Sequence, residues 1–258
     1  LTREGEIAIA KRIEEGLGQV QAALGTFPVT VEALLADYQA HKDGNKRLAE
    51  VIVGFNDLSE EVPAPAPPVV VDAADADADD ADDADDADDA VEEEAGPTGP
   101  DPAEVAARME DLAAAHAKCI AAKAKGADAA TLGKLREETS AIFVTLKLPL
   151  PLTDVLVGLL RESMTAIKTQ ERRVLHLATV TARMPRKDFI RSWEGNQTNV
   201  EWVEDALKRK QKWSSALREV KDQIIAEQQA TQQVEQVTRL TLDELKDISK
   251  VMAYGEAK

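Results

Sequence analysis

LTDVLVGLLRESMTAIKTQERRVLHLATVTAR, residues 152–183, decides the fold class. Val155, Leu156, Leu159, Leu160, Met164, Ile167, Val174, Leu175 and Leu177 recur in it at intervals of three and four, the period of one face of an α-helix. Met184-Pro185 ends the run, because proline cannot continue a helical ladder. Outward from this helix the same period keeps returning. A short helix is predicted at about 186–193, followed by a loop through Gly195-Asn196 and a helix at about 199–210. Trp213-Ser214 introduces a further long helix carrying Leu217, Val220, Ile224, Ile225 and Val234. Thr241-Leu242-Asp243-Glu244 has the spacing of a capping box and opens a last helix.

On the N-terminal side, Leu148-Pro149-Leu150-Pro151 separates the long helix from one at about 128–146, whose stripe is Leu132, Leu135, Ile142, Phe143 and Leu146. Asp101-Pro102-Ala103-Glu104 supplies an N-cap, a proline at the first helical position and a glutamate where a capping box needs one. The helix it starts runs to about 125, with Gly126 as its stop. Two helices come earlier still. Thr2 can cap the first, which carries Ile13, Leu17, Val20 and Leu24 and ends at Gly25 and Phe27-Pro28. Thr30 can cap the second, with a stripe of Val31, Leu34, Leu35, Tyr38, Leu48, Val51, Ile52 and Phe55 interrupted by Gly44. Between the two sets lies a stretch of about 60–100 that begins in a Pro/Ala run and ends Gly96-Pro97-Thr98-Gly99-Pro100. Its centre, 72–94, holds eleven Asp and three Glu with no Lys or Arg. Self-repulsion and the lack of large apolar groups predict disorder there. The expected fold is therefore all-α: an irregular multi-helix domain of about eight helices with a long disordered acidic insert and essentially no sheet. The two helices before the insert should pack back on those after it.

Composition agrees and narrows the function classes. Of 258 residues, 44% are hydrophobic but only 3% aromatic, so the core is aliphatic and suits helix packing. The net charge is −17, which disfavours autonomous nucleic-acid binding, yet fourteen of those charges sit in the acidic tract and the remainder is nearly neutral. Cys119 is the single cysteine, so no internal disulfide forms, as suits a reducing cytoplasm. No apolar run is long enough to span a membrane. The chain opens Leu1-Thr2-Arg3 and closes without a helix stop, and a piece of a longer polypeptide is expected.

Catalytic and metal motifs are weak. Asp75, Asp77 and Asp79 share the first spacings of a calcium loop, but Asp80 stands where that loop needs Gly and Asp86 where it needs Glu. His116 and Cys119 lie one turn apart and give at most two ligands for zinc. No phosphate loop, HExxH or nucleophile elbow occurs, so no enzyme and no cofactor is expected. The segment 183–213 is richer. It holds eight Lys/Arg against five acids, and all three tryptophans, Trp193, Trp202 and Trp213. Two readings stay open. The tryptophans and Phe189 form the aromatic core of a small subdomain with solvated cations around it, or the segment is a contact surface, since Trp and Arg anchor interfaces and Lys/Arg bind phosphates. The candidate contact residues are Arg183, Arg186, Lys187, Arg191 and Trp193.

Three strings carry a family resemblance. TREGEIAIAKRIEEG at 2–16 resembles the C-terminal half of conserved region 1.2 of the bacterial primary sigma factors of the sigma-70 family. TQERRVLHLATVTARMPRKDFI at 169–190, continued by WEGNQT at 193–198, resembles the core of their variable, non-essential helical insertion. LTLDELKDISKVMAYGEAK at 240–258 resembles the helix leading into region 2.1. The resemblance implies a division into 1–25 (end of region 1.2), 26–59 (first helical part of the insertion), 60–100 (linker), 101–240 (main helical part) and 241–258 (start of the region 2.1 helix). It also implies a cytoplasmic subunit that directs core RNA polymerase to promoters. This segment would be a structural and docking element, with the β′ subunit as its partner and promoter DNA reached through the parent protein. No membrane and no small-molecule ligand are expected. The parts of the family that read bases are absent from these residues, so no base-reading residue carries over. The alternative is a stand-alone helical adaptor with an acidic arm. The first and last helices should lie side by side, because regions 1.2 and 2.1 form one unit in the family.

Overall fold

The computed structural model describes residues 3–56 and 99–258. Most of the stretch expected to be disordered, the calcium-like aspartate spacing and the Thr2 cap lie outside the described residues.

Ten helices run in chain order among the described residues: α1 (Arg3–Thr26), α2 (Pro28–Lys42), α3 (Pro102–Ala124), α4 (Ala129–Thr145), α5 (Leu150–His176), α6 (Arg186–Trp193), α7 (Trp202–Lys208), α8 (Ser214–Glu219), α9 (Lys221–Thr238) and α10 (Leu242–Glu256). The all-α expectation holds. The long helix predicted from Trp213-Ser214 is two helices, because Val220 leaves the helical region at φ −101° and ψ 3°. The only sheet described is a short antiparallel ladder of β1 (Gly54–Phe55) with β2 (Leu146–Lys147), pairing Gly54 with Lys147 and Phe55 with Leu146.

The caps show where local chemistry sets the ends. Asp101 accepts from the Ala103 amide at 2.9 Å, and Asp128 accepts from the amide and hydroxyl of Thr131 at 3.3 and 2.6 Å. Thr241 and Glu244 form the reciprocal capping box, at 3.3 and 2.9 Å. Glu104 departs from its expected role and reaches forward to Arg108 at 2.8 Å. The second helix also differs from its prediction. It begins at Pro28 after an extended Phe27, so Thr30 lies inside the first turn, fully buried, donating to the carbonyls of Phe27 and Leu24. It stops at Lys42, where Gly44 takes φ +78°, a conformation favourable only to glycine. Val51, Ile52 and Phe55 are buried as the stripe required, but they enter the core from a 3-10 turn and β1.

Two cores result. The larger gathers α1 to α4, the first half of α5 and α10, around Leu24, Phe27, Leu34, Leu112, Phe143 and Leu160. The smaller is aromatic and joins the end of α5 to α6, α7, α8 and the start of α9. Helices α5 and α9 run antiparallel between them, tied by Gln170–Thr231 at 3.0 Å and Arg173–Glu227 at 3.2 Å.

Helix α1 is the hinge of the larger core, with α10 on one side and α4 on another, so the first and last helices do lie together. Glycine permits the contact. A Cβ on Gly16 would stand 2.7 Å from the Gly255 carbonyl, and one on Gly255 would stand 2.8 Å from the Gly16 carbonyl. Against α4, a Cβ on Gly25 would meet the Ser140 Cα at 2.8 Å, and the Ser140 hydroxyl donates to the Ala22 carbonyl at 2.8 Å.

The start of α10 is clamped electrostatically. The Glu244 carboxylate accepts from the Thr241 amide and, at 2.5 Å, from Arg136, whose side chain is only 12% exposed. Burial pushes Glu244 up, but Arg136 and the Thr241 amide outweigh it and hold the carboxyl below its ordinary 4.5. The group therefore contributes stability that is complete above that ordinary value and is lost as pH falls through the lower folded-state value. Glu244→Gln should cost about 1–3 kcal/mol at neutral pH, and the loss should shrink below pH ~4. Urea titrations of both proteins at pH 7 and pH 3 check this, and an equal difference at both would be the wrong result.

Candidate functional site

The site is built by the way α5 stops. Its last turn widens into a π turn over Leu177–Thr181, with the Ala182 amide donating to the Leu177 carbonyl at 2.9 Å and the Met184 amide to the Ala178 carbonyl at 2.9 Å. Such turns are uncommon and recur at functional sites. Arg183 follows at φ +56°. Glycine is the residue that adopts this conformation freely, so an arginine here carries a backbone cost. Pro185 then starts α6.

Helix α6 is only eight residues, RKDFIRSW, and it divides cleanly. Phe189, Ser192 and Trp193 turn inward and are buried. Arg186, Lys187, Ile190 and Arg191, spaced i, i+1, i+4 and i+5, turn outward and are exposed, and Arg183 is exposed just before them. None of the four cations has an ion pair among the described residues. Ile190, 53% exposed, stands in their midst.

The inward side explains why so short a helix is held. Phe189 stacks on Trp193 at 5.3 Å, and Trp202 meets both edge-on, at 4.9 Å from Trp193 and 5.7 Å from Phe189. Such aromatic pairs add about 0.5–1.5 kcal/mol each beyond their buried area. Trp213 and Leu217 of α8 complete the cluster. The loop between α6 and α7 is pinned to α9: Gln228 donates to the carbonyls of Asn196 and Asn199 at 3.1 and 2.8 Å, and Gln232 to that of Thr198 at 2.7 Å.

The structure thus brings Arg183, Arg186, Lys187 and Arg191 onto one surface and sets Trp193 behind them. At 8% exposure Trp193 is part of the platform. The reading of the tryptophans as core holds, and Arg183, Arg186, Lys187 and Arg191 are exposed without an ion pair among the described residues. Of the other cations, Lys208 pairs with Asp205 at 2.7 Å, which raises its pKa. Sequence reasoning missed Ile190. The signal was its position four residues after Arg186, on the charged face and away from Phe189 and Trp193. Among the described residues no cluster of three or more His, Cys, Asp or Glu is placed to hold a metal, and no helix is long and apolar enough to cross a membrane.

The described residues form a helical scaffold that presents a cationic face on α6. The chain belongs to the family of the sigma-70 non-essential region, whose model matches residues 27–235. It is similar to the RNA polymerase sigma factor RpoD of Neisseria gonorrhoeae, with 30% identity over 103 residues, a match that covers 40% of this chain and 16% of that protein's length. The strings at 2–16 and 240–258 fall outside the span matched by the family model.

Proposed function

We propose that this chain acts within a cytoplasmic sigma factor that directs core RNA polymerase to promoters, as a helical brace that docks on the polymerase through the outer face of α6. One observation carries the reading: Arg183 just before α6, and Arg186, Lys187 and Arg191 on it, are exposed without ion pairs among the described residues, beside exposed Ile190, on a helix whose back is packed into an aromatic core. The cations suit an acidic surface. Ile190 adds a requirement that a phosphate backbone does not meet, an apolar socket, which favours a protein partner, the β′ subunit, over DNA. The close pairing of α1 with α10 supports the bracing role, because it holds the two ends of the segment together.

The test is a photo-crosslinking residue at position 190 of the intact parent protein, bound to core polymerase and then to promoter DNA. Crosslinks to β′ from position 190, absent from a control position on another helix such as exposed Val237 of α9, support the reading. Crosslinks to DNA alone, or none from position 190, reject it.

A further inference from the structure

A second site lies in the larger core, away from α6. A cavity of about 240 Å³ opens between α3, α4 and the turn that leads into α10. Ile120, Leu132 and Pro28 give it an apolar floor, and Lys123, Arg136 and Arg239 stand around it with a single carboxylate, Glu244. The charges there are not evenly matched. Arg239 pairs with Glu32, and Arg136 pairs with Glu244. Lys123 has no carboxylate within ion-pair distance among the described residues. Its ammonium donates to the Arg239 main-chain carbonyl. Arg136 is also incompletely used. Its Nε donates to the Leu132 carbonyl at 3.2 Å and one terminal nitrogen to Glu244, and the other terminal nitrogen has no partner among the described residues. Partial burial holds Lys123 below the ordinary lysine range, with Glu244 and Glu235 pulling the other way and Arg136 and Arg239 adding to it.

We propose that this cavity is a binding site for a small amphipathic carboxylate, its anionic head on Lys123 and the remaining terminal nitrogen of the Arg136 guanidinium and its apolar body on Ile120 and Leu132. A cavity of about 240 Å³ lies below the usual range of drug-sized pockets and suits a small ligand. Carboxylate is the head group that fits a guanidinium side and a point charge together. A bound ligand touches α3, α4 and the residues that cap α10, and so stabilises the placement of the last helix. No motif in the sequence announces this site, and the proposal departs from the sequence expectation of no small-molecule ligand. It does not depend on the docking role of α6.

The experiment uses hexanoate as probe and hexan-1-ol as its uncharged counterpart, with methyl NMR of Ile120 and Leu132 and thermal melting of the chain. Hexanoate should shift both methyl resonances and raise the melting temperature by about 1–3 °C at a concentration well above its dissociation constant. Hexan-1-ol should bind at least several-fold more weakly. Lys123→Met keeps the apolar stem of this exposed residue and should weaken hexanoate several-fold without changing the response to hexan-1-ol. Ala129→Leu, which fills the cavity from its exposed wall, should abolish the shifts. The proposal fails if hexanoate leaves both methyl resonances in place, if acid and alcohol bind alike, or if the response persists unchanged in Lys123→Met.

Discussion

Alanine at Gly16 should destabilise the chain by about 2–3 kcal/mol, while alanine at Gly18, one half-turn along the same helix, should stabilise it by up to ~1 kcal/mol. Both positions lie inside α1, where replacing glycine by alanine removes the same excess backbone entropy. Gly18 has nothing within 4 Å of a new Cβ, so only the gain in helix propensity remains. At Gly16 the new carbon would sit 2.7 Å from a main-chain carbonyl of α10, which cannot swing aside as a side chain could. Relief requires the two helices to separate, and that opens the core around Val20, Leu24 and Met252. For a chain of this size the melting temperature should fall by about 5–10 °C for Gly16→Ala and rise by about 1–3 °C for Gly18→Ala. Calorimetry of the two variants reads the difference directly. Equal shifts would mean that α1 and α10 do not touch at Gly16 and Gly255.

Charge reversal across the outer face of α6, with Arg183, Arg186, Lys187 and Arg191 all changed to Glu, should weaken binding of the intact parent protein to core polymerase by about tenfold at low salt. The four side chains are exposed and without ion pairs among the described residues, so their reversal leaves the aromatic core intact, and near-unchanged melting confirms that. Rim charges act mostly on the association rate, and the effect should fade as ionic strength rises and the Debye length shrinks below about 10 Å. Arg183→Gly is the informative single change. It removes one charge and also the positive-φ strain, so it should weaken docking slightly while leaving stability unchanged or higher. Unchanged binding in the quadruple variant would show that this surface meets no partner on the polymerase.

Much of the fold was legible because it depends on short-range chemistry. The capping box at Thr241 and Glu244, the N-cap at Asp101 and the bounds of α6 follow from residues within a few positions of each other. The errors have the same physical origin. The stripe from Val31 to Phe55 was correctly read as buried, but burial does not reveal whether a residue arrives on a helix or on a 3-10 turn and a strand. That depended on a partner, Leu146–Lys147, roughly ninety residues away. Glu104 satisfied a local pattern and was drawn to Arg108 instead.

At the candidate site, sequence supplied the cations and the aromatic residues but not their sides. By itself the chain determined that it is helical, that its core is mostly aliphatic, and that three tryptophans and eight cations share the segment 183–213, since these rest on composition, residue order and the 3.6-residue period. Only the tertiary structure decided that Trp193 is platform, that Ile190 is surface, that Gly16 and Gly255 are where two distant helices touch, and that a charged cavity lies beneath α10. Each of these is a matter of which faces meet, and that is set by packing between segments far apart in the chain.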